Sequence, residues 1–147
     1  MEDISEAAAA NFESINQDLE KAWLTHPEVP QSVRVQLAIA VAEVVGNIIE
    51  HGGGLQRPVN IQMRLTLSEQ CQVQICFVDD GDELPAHIDL SSRVMPDETA
   101  EGGRGLALAQ AVLEQLTYHR DNAFNYWILL SRRFNPFHTE QPGSSQH

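Results

Sequence analysis

Three glycines in four positions, Gly102, Gly103 and Gly105 around Arg104, run straight into an apolar helical pattern. Leu108, Ala109, Val112, Leu113 and Leu116 recur at i, i+1, i+4, i+5 and i+8, one face of a helix. A helix that starts on glycines offers free backbone N–H groups and the positive end of its dipole, with no side chains blocking approach. Such a turn can seat a phosphate. It is also a common way to begin an ordinary helix, and both readings stand from this stretch alone.

Composition narrows how a phosphate would be handled. Lys21 is the only lysine and no G-x-x-x-x-G-K-[ST] loop is present, so a P-loop nucleotide site is excluded. Backbone amides, arginine and Mg²⁺ would have to do that work. The net charge of −12, with nine Lys and Arg, argues against direct nucleic-acid binding, which needs a basic patch. No uninterrupted apolar run approaches the roughly 18 residues of a membrane span. The acidic start, Met1-Glu2-Asp3-Ile4, has no apolar core of a secretory signal, so a cytoplasmic protein with no membrane partner is expected. Cys71 and Cys76 lie five apart in a strand-like stretch. They should point to opposite faces and serve as small buried hydrophobes rather than as a disulfide.

Taken in order, residues 3–24 read as a helix with Ile4, Ala7, Ala8, Phe12, Ile15, Leu19, Ala22 and Trp23 on one face. His26-Pro27 breaks it, and Pro30 can sit in the first turn of the next helix, 31–51. That helix buries Leu37, Ala38, Val41, Val44, Val45 and Ile48 and stops at Gly52-Gly53-Gly54. Residues 58–68 alternate as a half-buried strand, and 71–79 make its hairpin partner. Residues 82–101, with Pro85 and Pro96, form a long irregular connection of the kind that serves as a lid or binding loop. After the glycine turn and third helix, 116–120 and 124–132 read as a second hairpin, its last strand covered on both faces. The expected fold is α+β: a two-layer sandwich with helices on one face of a mostly antiparallel sheet. At 147 residues the chain reads as one domain, 1–134, with a polar tail at 135–147.

Two further patterns carry chemistry. Glu43, Asn47 and His51 stand at i, i+4 and i+8 of the second helix and share one stripe. The stripe fits a solvated face. It equally fits a cleft in which Glu43 acts as base and Asn47 offers a hard carbonyl oxygen to Mg²⁺. The strand 71–79 ends in Asp79-Asp80-Gly81, either a plain turn or a carboxylate presented to a ligand beside a closely turning backbone.

The three patterns occur in the order E-x-x-x-N-x-x-x-H, D-x-G, long loop, G-G-x-G-L. That order resembles the GHKL or Bergerat-fold ATPase superfamily, and within it the small bacterial anti-sigma-factor serine kinases of partner-switching pathways. The resemblance runs from about Val33 to Arg132. It implies a Bergerat ATP-binding fold with ATP and Mg²⁺ as cofactors. It implies Glu43 as general base, Asn47 as metal ligand and His51 as support of the site. Asp79 would accept from the adenine amino group beside Gly81, and Gly103, Arg104, Gly105 and Leu106 would enclose the phosphates. The implied partners are a sigma factor and a STAS-type anti-anti-sigma protein phosphorylated on serine, with a possible homodimer. A sensor histidine kinase would carry a dimerisation helix pair with a phospho-accepting histidine ahead of this domain, and none is expected here. Two departures stand out: Glu83 occupies the place of the second glycine of D-x-G-x-G, and Ala123-Phe124-Asn125 replaces a G-T pair near the adenine. They motivate an alternative, a degenerate switch that binds partners without transferring phosphate.

Overall fold

The computed structural model describes residues 8–52, 58–85, 90 and 103–136. The elements are α1 (Ala8–Thr25), α2 (Gln31–Gly52), β1 (Ile61–Leu67), β2 (Val73–Asp79), α3 (Gly103–Val112), β3 (Gln115–Asp121) and β4 (Phe124–Leu130). All three strand pairings are antiparallel, in the order β1-β2-β4-β3. The helices cover one face, giving the α+β two-layer sandwich.

Periodicity explains the layering. In α1, Ile15, Leu19 and Trp23 recur every four residues and are buried. In α2, Leu37, Ala40, Val41, Val44, Val45 and Ile48 are buried against the sheet, whereas Ala38, expected on that face, is exposed. α2 is long and apolar enough to span a membrane by composition, with mean hydropathy 1.5, but its apolar side is the centre of this core. Pro30 caps it: its carbonyl accepts from Arg34 N–H at 3.1 Å, the first bond of the helix. In β2 the alternation puts Val73, Ile75, Phe77 and Asp79 on the inward face. A truncation such as Phe77→Ala would open a cavity costing about 3–5 kcal/mol.

The hairpins fix the register. Between β1 and β2, Ser68 Oγ accepts from the N–H groups of Gln70 and Gln72, while Cys71 adopts φ 61°. Between β3 and β4, Asn122 takes φ 58°, a conformation asparagine tolerates better than most residues. Beyond β4, Ser131 continues along β2, donating its N–H to Val73 O and accepting Val73 N–H on its hydroxyl.

Several expectations need correction. Cys71 lies in the turn, not in a strand, and both cysteines are half-buried free thiols. The helix after the glycines ends at Val112, so Leu116 belongs to β3. Its buried side is Leu106, Ala107 and Ala109, with Leu113 buried just beyond its end, while Leu108 is exposed. The last strand is covered on one face only among the described residues. Asn125, Trp127 and Leu129 are buried, but Phe124 and Ile128 are exposed. The long connection falls largely at 86–89 and 91–102, and the glycines after Gly52 fall at 53–57, outside the described residues.

Candidate nucleotide site

The sheet delivers Asp79 to the interior because its position is in phase with Val73, Ile75 and Phe77. Asp80, one residue on, is out of phase and is consumed elsewhere. Its carboxylate accepts Asn60 N–H at 2.9 Å and Asn60 Nδ2 at 3.0 Å, tying β2 to the approach to β1. Of the two acids, Asp79 alone turns inward, and it is 1% exposed.

A carboxylate that deep needs donors. Asp79 Oδ1 accepts Gly81 N–H at 2.8 Å, an Asx turn, and Asn125 Nδ2 at 2.8 Å. Asp79 Oδ2 accepts Trp127 Nε1–H at 2.9 Å. The register explains why these residues meet: Asp79 pairs with Asn125 across β2 and β4, and Trp127 lies two residues on, on the same face. Burial pushes the Asp79 carboxyl above the usual carboxylate range, against the opposing pull of Asn125, Gly81 and Trp127.

Side chains of β3 brace this arrangement. Tyr118 hydroxyl donates to Asn125 Oδ1 at 2.5 Å and accepts Leu84 N–H at 2.8 Å. Its ring packs on Trp127 at 4.7 Å between centroids. Burial raises the Tyr118 phenol above its ordinary value, so the hydroxyl keeps its proton at neutral pH. Arg120 Nη1 donates to Gly81 O at 2.8 Å and Asn125 Oδ1 at 3.1 Å. Asn125 Nδ2 also reaches Gly81 O and Asp82 O. The segment after β2 is thus bonded down onto the second hairpin.

α2 supplies the opposite wall. Asn47, 8% exposed, and His51 line one cavity with Asp79, Asn125, Trp127 and Leu84. His51 Nε2 is buried without a hydrogen bond among the described residues; Glu50 Oε1 stands 3.9 Å away, too far for one. One turn earlier on α2, Glu43 reaches the start of α3. A Cβ added at Gly105 would collide with the Glu43 carboxylate, so glycine there lets the carboxyl lie over the first turn of the helix. Leu106 is buried in the core behind that turn. Gly103 opens α3, and the Arg104 side chain lies outside what is described.

The helix stripe therefore lines one cavity with the strand-end carboxylate through Asn47 and His51, and meets the glycine turn through Glu43. Trp127, Tyr118 and Arg120 join them unanticipated. Their signal was the strand period itself, since Leu116, Tyr118 and Arg120 alternate, as do Asn125 and Trp127.

Comparison with known proteins fixes the family. A family model described as a histidine kinase-like ATPase domain matches residues 6–129. The chain belongs to the histidine kinase-like ATPase family. Solved structures agree on the fold. A blue-light-activated histidine kinase domain of Erythrobacter litoralis is 20% identical, with TM-score 0.52, over 68% of this chain and 47% of that one. The catalytic domain of histidine kinase ThkA, in a nucleotide-free form, is 13% identical, with TM-score 0.54, over 86% and 95%. Acinetobacter baumannii histidine kinase AdeS is 15% identical, with TM-score 0.53, over 84% and 66%. The chain thus spans about half of the first of these. A search of curated protein sequences returns no match.

Membership of an ATPase family implies ATP, and the donor set of this family member fits an adenine. Asp79 is a buried acceptor suited to an exocyclic amino group, with a lone pair on Oδ2 beyond the Trp127 bond. The cavity beside it measures about 10 Å³, room for about one water. A purine ring does not fit that volume as it stands, and Asp82 and Leu84 are among the residues that close it. Among the described residues no three His, Cys, Asp or Glu side chains converge on a metal position. Among the described residues, Asn47 offers a divalent cation a carbonyl oxygen, which water and phosphate oxygens would supplement.

Proposed function

We propose that this chain is an ATP-dependent protein serine kinase that also acts as an anti-sigma factor, phosphorylating a STAS-type anti-anti-sigma protein. The observation that carries the reading is the Glu43 carboxylate lying over Gly105 at the start of α3, one helical turn before Asn47, which lines the cavity opposite Asp79. Phosphoryl transfer asks mainly for positioning and charge neutralisation. Asp79 would orient the base. The first turn of α3, with Gly103, Arg104, Gly105 and Leu106, would receive the phosphates. Mg²⁺, when bound, would neutralise charge between the phosphates, with Asn47 as its protein ligand and His51 packed beside it. Glu43 would take the proton from the attacking serine hydroxyl as its oxygen bonds to the γ-phosphorus and the bond to the β-phosphate oxygen breaks. The added phosphate, about −1.5 to −2 in charge, would stop the antagonist from binding its partner. A cytoplasmic location and a possible homodimer belong to the same proposal.

The test is γ-labelled ATP with the protein and a candidate STAS protein. Acid-stable label on a serine of that protein supports the reading. Acid-labile label on a histidine would align the chain instead with the histidine kinases whose fold it shares.

One set of observations favours a second reading, a nucleotide-independent switch. Asp79 is heavily bonded within the protein, the cavity holds about one water, and Glu83 stands where the family pattern has glycine. No thermal stabilisation at millimolar Mg-ATP would favour it.

A further inference from the structure

A second concavity lies away from the nucleotide site. It is a groove of about 490 Å³ between α1 and the N-terminal half of α2, whereas Glu43, Asn47 and His51 occupy the C-terminal half. Its floor is Leu19 and Trp23, both nearly buried, its exposed apolar surface comes from Val35 and Ala38, and Asn16, Gln17 and Gln31 also line it. Val35 is 46% exposed although it sits in a helix otherwise rich in buried aliphatics. Glu13 and Glu20 stand along the α1 side. They are seven residues apart, two helical turns, or about 10 Å along the axis.

The cation in the groove is committed to the wall. Arg34 Nε donates to Val29 O at 2.8 Å and Nη2 to Pro27 O at 3.2 Å, with the guanidinium 5.6 Å from the Trp23 ring centroid. These contacts fasten the α1–α2 connection and fix the groove's shape. What remains to meet a visitor is the apolar side of Val35 and Ala38, neutral amides, and two carboxylates at helical spacing, on a molecule of net charge −12.

We infer that this groove docks an amphipathic helix of a partner protein, with an apolar ridge and a pair of basic residues seven apart. The ridge would lie against Trp23, Val35 and Ala38, as in helix-in-groove recognition, and the basic pair would meet Glu13 and Glu20. A spacing of seven residues, two turns, matches the separation of the two carboxylates. The inference does not depend on the kinase reading, because no groove residue belongs to the nucleotide site.

The probe is a labelled helical peptide of about 18 residues, with leucine at i, i+3 and i+7 and lysine pairs seven apart. Its counterpart carries glutamate in place of lysine. Anisotropy titrations use the full chain at physiological salt. The lysine peptide is expected to bind and the glutamate peptide not. Glu13→Lys with Glu20→Lys is expected to weaken the lysine peptide about tenfold and to gain the glutamate peptide. Both positions are exposed, so the double variant keeps its fold. Reversing two exposed carboxylates elsewhere, Glu69→Lys with Asp121→Lys, is expected to change binding far less. Absent binding would overturn the inference, as would an equal loss in the two double variants, which would trace binding to net charge. Self-association that the Glu13/Glu20 reversal abolishes would also overturn it, by making a second copy the occupant.

Discussion

The two ends of the nucleotide site are built on opposite principles. At the β2–β4 end, Asp79 is buried and bonded to Gly81, Asn125 and Trp127, with Tyr118 and Arg120 bracing the next layer. At the α2–α3 end, Glu43 is only partly buried and lies over a glycine. The first end is part of the scaffold, so disturbing it should cost stability. The second is held by little besides space, so disturbing it should cost activity alone. On the proposed reading, the site divides into a corner that folding secures and a corner available for chemistry.

The sharpest way to break that contrast is Glu43→Ala. Phosphoryl transfer should fall by about 10²–10⁴-fold, the usual worth of a positioned base, with the unfolding free energy in urea changed by less than about 0.5 kcal/mol. Steady-state transfer and equilibrium unfolding of the same preparation check both halves, and equal turnover would remove Glu43 as base. Gly105→Ala comes next. The clash falls on the flexible end of Glu43, and alanine favours a helix by up to about 1 kcal/mol, so stability should hold or rise slightly. Transfer should drop at least about tenfold, because the carboxyl must leave its place.

Asp79→Ala inverts the pattern. It strands the Trp127 indole N–H in the core and should cost about 2–3 kcal/mol in urea unfolding, even before nucleotide is added. The smallest effect is the pH dependence of that same group. The folded protein holds the Asp79 proton more tightly than the unfolded chain, whose carboxyl titrates near the ordinary 3.8. The stabilisation is therefore complete below that value and is lost as pH rises through the raised folded pKa. The stability of wild type minus Asp79→Asn should fall as pH rises above about 4. A flat difference would mean that Asp79 is not buried as a charge.

Much of this was legible in residue order. Strict alternation in 73–79 is enough to place Asp79 inward, and the i, i+4 spacing of Glu43 and Asn47 is enough to put them on one side of α2. The embrace of Asp79 was not legible, because it depends on register between strands some 46 residues apart in sequence. No local pattern says that Asn125 faces Asp79 rather than Asp80. Nor does apolar content separate the two faces of β4. Its run Tyr126 to Leu130 looks buried throughout, yet helices cover only one side. The Cys71 turn misleads for a related reason. A cysteine in a left-handed conformation is rare enough that the strand pattern appears to run through it.

The claim beneath all of this is that Asp79 and the start of α3 bound one cleft that takes ATP. Thermal unfolding of the protein titrated with Mg-ATP tests it most directly. At 100 times Kd the folded state should gain about 2.7 kcal/mol, with the gain kept in Glu43→Ala and absent in Asp79→Asn. A melting curve that does not move at millimolar Mg-ATP, or a gain that survives Asp79→Asn intact, would contradict it.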